Sequence, residues 1–111
     1  MSKWRKEFKS WEEAKSPVNA DTVRAIVSRV FGIDRLAKGR GSHEIKVDVP
    51  ELAGQHADFR YGVFVIPIKG GQQVIAFYLR NAYFAAVEIG LFDPDFEENN
   101  LNDEAVEIDN E

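Results

Sequence analysis

The sequence predicts one small α+β domain, because helical and strand-like patterns follow one another within 111 residues. Residues 23–31 repeat apolar side chains at helical spacing, residues 44–49 alternate with a period of two, and residues 79–89 form a second helical run. A chain of this length buries about two-thirds of its unfolded surface, so it can fold without covalent staples. It contains no cysteine, which excludes disulfides and thiolate metal sites.

The first 17 residues form an amphipathic N-terminal extension. Trp4, Phe8 and Trp11 are spaced by four and three residues, which places all three rings on one face of a short helix. Pro17 then redirects the chain. Packing of this aromatic face within the protein is the favoured interpretation, and a partner contact or attachment to a membrane surface are the alternatives.

Residues 18–92 hold the predicted domain, and its first element is a helix. Asn19 or Asp21 can cap its start, and apolar side chains then recur at i, i+3, i+4 and i+7 as far as Phe31. Gly32 suits the left-handed conformation that follows a helix.

A meander of three antiparallel strands is expected between residues 33 and 68. The first strand contains Leu36, and the second runs from Ile45 to Val49, where apolar and charged side chains alternate strictly. Pro50 ends the second strand, residues 51–61 form a loop, and residues 63–68 form the third strand.

The second helix of the domain is predicted from about residue 79 to residue 89, with Gly90 at its end. Residues 73–79 are β-branched and aromatic, so they favour a fourth strand as an alternative. Phe77 and Phe84 are expected in the core, and Leu91 and Phe92 are expected to pack back onto it.

Charge divides the chain unevenly. The net charge is +2 for residues 1–20, +2 for residues 21–92 and −9 for residues 93–111. The last segment is predicted to be a disordered acidic tail. Such a tail either solvates the protein or covers a basic surface by mimicking a phosphate chain. Without an apolar leader after the N-terminal basic residues and without a long apolar run, a cytoplasmic protein with no membrane attachment is expected.

Residues 35–43 read RLAKGRGSH, and this stretch resembles the HicA family of toxins, whose members join their first two strands around a Lys-Gly-Ser-His segment. Val65-Ile66-Pro67 is similar to the third strand of that family, and Leu79-Arg80 and Ile89-Gly90-Leu91 are similar to its second helix and terminus. The resemblance implies a double-stranded-RNA-binding-like fold (dsRBD-like): helix, three-stranded antiparallel sheet, helix. It also implies a ribonuclease that cleaves messenger RNA, with a HicB-type antitoxin as partner.

The family histidine falls on His43, which the resemblance implies is catalytic. Metal-free RNA cleavage needs a group that moves a proton near neutral pH, and histidine is the usual choice because its ordinary pKa is about 6.5. Lys38, Arg40, Ser42 and Lys46 are the expected phosphate contacts. No metal or cofactor is expected. Without the resemblance, the simpler interpretation of His43 is a surface histidine that begins a strand.

Three functions remain open on the sequence. The first is a HicA-type ribonuclease, and the second is a non-catalytic RNA-binding module that uses the same sheet face. The third is a protein-interaction domain with an exposed aromatic surface, for which the candidates are Trp4, Trp11, Tyr78 and Tyr83. The oligomeric state and the RNA preference do not follow from the sequence.

Overall fold

The structure, a computed structural model, describes residues 3–37, 43–55, 59–70 and 72–95. These residues form a small α+β domain with three α-helices and two antiparallel two-stranded sheets. The elements in chain order are α1 (Lys3–Ser10), β1 (Val18–Asn19), α2 (Ala20–Phe31), β2 (Glu44–Asp48), β3 (Val63–Pro67), β4 (Gln73–Val74) and α3 (Ala76–Glu88).

Both predicted ends of α2 are confirmed. The Asn19 side chain accepts hydrogen bonds from the backbone N–H groups of Asp21 (2.8 Å) and Thr22 (3.4 Å), so it satisfies two amides that the helix itself leaves unpaired. At the other end Gly32 has a φ of 91°, and its N–H donates to the carbonyl of Ser28 at 3.0 Å. Glycine reaches this φ without the strain that a side chain would add.

Strands β2 and β3 form an antiparallel hairpin, as the predicted meander requires of its second and third strands. Ile45 lies opposite Ile66 and Val47 lies opposite Phe64, and all four side chains are buried against the helices. The alternate residues of both strands point to the outer face, as the period of two requires.

The expected first strand of the meander is reduced, in the described residues, to one bridge between Leu36 and Val47 and a hydrogen bond from the Ala37 N–H to the Lys46 carbonyl at 3.1 Å. A 3₁₀ turn at Ile33–Arg35 occupies the chain just before this bridge.

A second sheet, β1 with β4, was not predicted. Val18 lies opposite Val74 in an antiparallel pair, and the N–H of Ala20 donates to the carbonyl of Gln72 at 2.8 Å. Strands of two residues are too short to show an alternating pattern in a sequence.

Helix α3 begins at Ala76, three residues before the predicted start, and Gly90 follows its end with a φ of 80°. The predicted core positions Phe77 and Phe84 are wrong: these side chains are 45% and 39% exposed. They lie seven residues apart on the outer stripe of the helix, whereas the inner stripe is formed by Leu79, Ala82, Tyr83 and Ala86. Phe92 packs back as expected, while Leu91 stays exposed.

The aromatic face of α1 packs within the protein. Phe8 lies 5.1 Å from Trp11, 5.5 Å from Tyr83 and 4.8 Å from Phe92, measured between ring centroids, and all four rings are buried. We call these four residues the aromatic cluster. Since Trp11 and Tyr83 are part of it, neither contributes to the exposed aromatic surface that the third hypothesis required. No helix of the described residues has the length and apolar character needed to cross a bilayer.

Candidate nucleic-acid interface

His43 lies at the end of the β2–β3 hairpin. Its carbonyl accepts a hydrogen bond from the N–H of Ile68 at 2.8 Å, which extends the ladder one pair beyond Glu44 and Pro67. Alternation gives His43 the same sheet face as the buried Ile45, yet His43 is exposed at the end of the paired residues. The backbone is therefore fixed by pairing while the imidazole is exposed to solvent.

Lys46 lies on the opposite, outer face of the hairpin. Its ammonium nitrogen is 3.3 Å from a carboxylate oxygen of Glu44, two residues earlier on the same strand. The period of two separates both side chains from the sheet face of His43. Lys46 and His43 are consequently not brought together, although the sequence suggested both for one site.

The outer face as a whole is not basic. Its cross-strand pairs are Glu44 with Pro67, Lys46 with Val65, and Asp48 with Val63. Two carboxylates and one ammonium give this face a net charge of −1, and its other side chains are apolar. Shape-based recognition of duplex RNA needs cations spread over the binding face, and the outer face lacks them.

Lys69 lies at the same end of the hairpin as His43, a placement that no local sequence pattern predicts. It directly follows Ile68, the pairing partner of His43, and its side chain is exposed. A tight turn fixes its backbone, since its N–H donates to the carbonyl of Gln73 at 2.6 Å. The β2–β3 register would have predicted this placement, but the loop between the strands hides the register in the sequence.

Three of the predicted phosphate contacts, Lys38, Arg40 and Ser42, lie outside the described residues. Within the described ranges, no three or more His, Asp or Glu side chains come together as a metal site would require.

Arg35 forms a structural ion pair near the other end of the hairpin. Its guanidinium donates to both carboxylate oxygens of Glu51, at 2.8 and 2.6 Å, and to the carbonyl of Asp48 at 3.1 Å. The hydrogen bonds from Arg35 lower the pKa of Glu51 to about 2, because they favour the ionised carboxylate. This bidentate pair ties the turn before Leu36 to the end of β2 and leaves Arg35 engaged.

No protein-family model matches this chain, and no curated protein or solved structure matches it.

Proposed function

We propose that the protein is an RNA-binding domain of the HicA type in which His43 is the acid–base group of a metal-independent ribonuclease. The observation that carries the proposal is the exposure of His43 at the end of the hairpin, directly after the basic stretch 38–42 and at the same hairpin end as the exposed Lys69. A proton carrier and cations at one sheet end are the two requirements of this chemistry.

In the proposed reaction His43 removes the proton from a ribose 2′-hydroxyl. The 2′-oxygen then forms a bond to the adjacent phosphorus, and the bond from phosphorus to the 5′-oxygen of the next nucleotide breaks. The departing 5′-oxygen takes up a proton from the imidazolium or from water, which leaves a 2′,3′-cyclic phosphate and a 5′-hydroxyl. Lys38, Arg40 and Lys69 would offset the charge on the phosphate oxygens.

The RNA is proposed to bind at the sheet end and not across the outer face. Phosphates near the outer face would meet Glu44 and Asp48, and Lys46 is already beside Glu44. A single-stranded segment fits a site at an edge of this kind, because its backbone can bend past a small cluster of cations.

The test uses the full chain with fluorescently labelled single-stranded RNA in EDTA. The wild type should cleave the RNA, and His43→Ala should lower the rate by about 10²–10⁴-fold while binding is retained. Equal cleavage by both proteins would point to a contaminating nuclease and would remove His43 from the mechanism. Absence of cleavage by either protein, with RNA binding intact, would leave a non-catalytic RNA-binding module.

A comparison of two single-lysine variants locates the RNA. Lys69→Ala should reduce the slope of log affinity against log salt by about 0.7, as expected for one lost phosphate contact to a single strand. Lys46→Ala removes the same charge from the outer face. A larger loss of slope in Lys46→Ala than in Lys69→Ala would move the RNA to the outer face and contradict the sheet-end site.

A protein-interaction domain is the second candidate, and exposed apolar side chains favour it. Val63 and Val65 are 40% and 37% exposed on the outer face, and Phe77 and Phe84 are exposed on α3. A HicB-type antitoxin is the partner that the resemblance implies. Binding through these apolar groups should change little with salt, whereas binding to phosphates should weaken steeply, so a salt titration separates the two functions.

A further inference from the structure

A groove of about 650 Å³ runs between α1 and α2. Its floor is apolar and is formed by Trp4, Ala25 and Ile26. The lining residues of α1 and of α2 recur at intervals of three and four residues, so each helix presents one continuous face to the groove. This groove lies outside the site proposed for RNA.

Cations border this floor. Lys3 and Lys6 line the groove from α1 and are exposed. Arg29 lies one turn beyond Ala25 and Ile26 on α2, and its guanidinium is 6.0 Å from the centre of the Trp4 ring. The acidic lining residue, Glu7, accepts a hydrogen bond from the indole N–H of Trp11 at 3.0 Å and is therefore engaged. The groove thus combines an apolar floor with a basic rim.

The described chain ends beside α1. A guanidinium nitrogen of Arg5 lies 3.5 Å from the carbonyl oxygen of Asp93, and the Arg5 guanidinium is 4.6 Å from the centre of the Phe92 ring. Phe92 itself packs on Phe8 of α1. The described chain therefore ends next to the helix that forms one wall of the groove.

The segment 96–111 has the length and the chemistry to occupy this groove. Sixteen extended residues reach at most about 53–58 Å, which exceeds the longest dimension of the protein, 39 Å. The segment contains seven carboxylate side chains and no Lys or Arg, together with four large apolar residues, Phe96, Leu101, Val106 and Ile108. Carboxylates complement the basic rim, and apolar side chains complement the floor.

We propose that residues 96–111 bind in the α1–α2 groove of their own chain, with apolar side chains over Trp4, Ala25 and Ile26 and carboxylates beside Lys3, Lys6 and Arg29. The tail is tethered at Asp95, so its effective concentration at the groove is in the millimolar range and a weak contact suffices to fill it. Because the attraction between exposed charges is screened, the contact opens as salt increases.

Because the chain contains no cysteine, a single introduced cysteine can be labelled specifically, and this allows a direct test. Asn102→Cys, labelled with a nitroxide, should broaden the backbone amide signals of Thr22, Ala25 and Ile26 in the full-length protein at low salt. The broadening should fade at about 0.5 M salt. The amide of Val65 on β3 is the internal reference and should be broadened less.

A matched pair of double variants tests the basic rim in the labelled protein. Lys3→Glu with Lys6→Glu should remove the groove broadening, whereas Lys9→Glu with Lys15→Glu, which makes the same change in net charge away from the groove lining, should keep it. Equal loss in both pairs would mean that net charge alone attracts the tail, and this would overturn the proposal. Broadening centred on the β2–β3 hairpin, or none at low salt, would also overturn it.

A mixed sample distinguishes the tail of the same chain from that of a second copy. Protein that carries the nitroxide but no ¹⁵N is mixed with ¹⁵N protein that carries no nitroxide. Any broadening of the ¹⁵N-detected signals must then act between molecules. Unchanged signals in the mixture support binding within one chain. Groove broadening in the mixture that matches the single-sample result would replace the intramolecular contact with an exchange between two copies.

Discussion

The aromatic cluster and the β2–β3 hairpin are stabilised in different ways. The cluster joins α1 to α3 through four buried rings with centroid separations between 4.8 and 5.9 Å. The hairpin buries one face only, and the partly exposed ion pair of Arg35 and Glu51 links the end of β2 to the turn before Leu36. Buried apolar area is largely indifferent to salt and pH, whereas exposed charge is sensitive to both.

The same difference separates the residues that stabilise the fold from the residues to which a function is proposed. The side chains of the cluster are shielded from water, so they cannot meet a substrate, but they connect the ends of the described chain. His43 and Lys69 are exposed at a sheet end whose backbone is fixed by pairing. Substitutions there should change the proposed RNA cleavage with little effect on folding, and substitutions in the cluster should lower the stability of the fold.

The largest effect is expected from Phe8→Ala in the aromatic cluster. Phe8 is fully buried and contacts the other three rings of the cluster, so its truncation leaves a cavity and should lower the free energy of unfolding by about 3–5 kcal/mol. Urea unfolding followed by circular dichroism measures this loss. Phe77→Ala is the matched control, because the same change at a 45% exposed ring should cost much less. Similar losses for both variants would mean that the cluster is not the main tie between the helices.

Tyr83→Phe should have a smaller effect with the opposite sign. The Tyr83 hydroxyl is buried and has no hydrogen-bond partner among the described residues. An unsatisfied buried hydroxyl costs about 1–3 kcal/mol, so its removal should stabilise the protein by about 1 kcal/mol. Urea unfolding at neutral pH again gives the value, and a loss of stability would show that the hydroxyl has a partner.

Unfolding measurements at alkaline pH give a second test of the Tyr83→Phe prediction. Burial, and secondarily the carboxylates of Glu12 and Asp95, raise the pKa of Tyr83 above its ordinary value of 10.0. The folded state then holds the phenolic proton more tightly than the unfolded state, so the stability that this proton provides is present below pH 10 and is lost as the pH rises above it. The advantage of Tyr83→Phe over the wild type should therefore grow in alkaline buffer.

Sequence patterns predicted the elements whose signals are local. The cap at Asn19, the stop at Gly32 and the alternation after Glu44 each depend on a few neighbouring residues, and each is confirmed. The aromatic face of α1 was predicted in the same way, from spacing alone, and Phe8 and Trp11 are buried as that spacing favours.

The missed features depend on contacts between distant segments. Val18 pairs with Val74 across 56 residues, and no local pattern carries that information. Phe77 and Phe84 were expected inside because they are large and apolar, but the rotation of α3 against the sheet decides which stripe is buried. The position of Lys69 at the hairpin end of His43 follows from the strand register, which a loop of uncertain length does not reveal.

The smallest effect is expected at the hairpin, from Glu51→Gln. This change removes the charge of an exposed carboxylate that accepts two hydrogen bonds from Arg35 but keeps its shape. The variant should unfold at a slightly lower urea concentration than the wild type at pH 7, and the difference should shrink in high salt because exposed pairs are screened.

The pH dependence of the stability difference between the wild type and Glu51→Gln shows whether the ion pair causes it. The pKa of Glu51 is lowered to about 2 in the folded protein, from an ordinary value of 4.5. Its contribution to stability is therefore present above pH 4.5 and is lost progressively as the pH falls towards 2. Wild type and Glu51→Gln should converge across that interval. A difference that persists unchanged at pH 2 would assign the effect to packing of the side chain and would remove the contrast between an ionic hairpin and an apolar cluster.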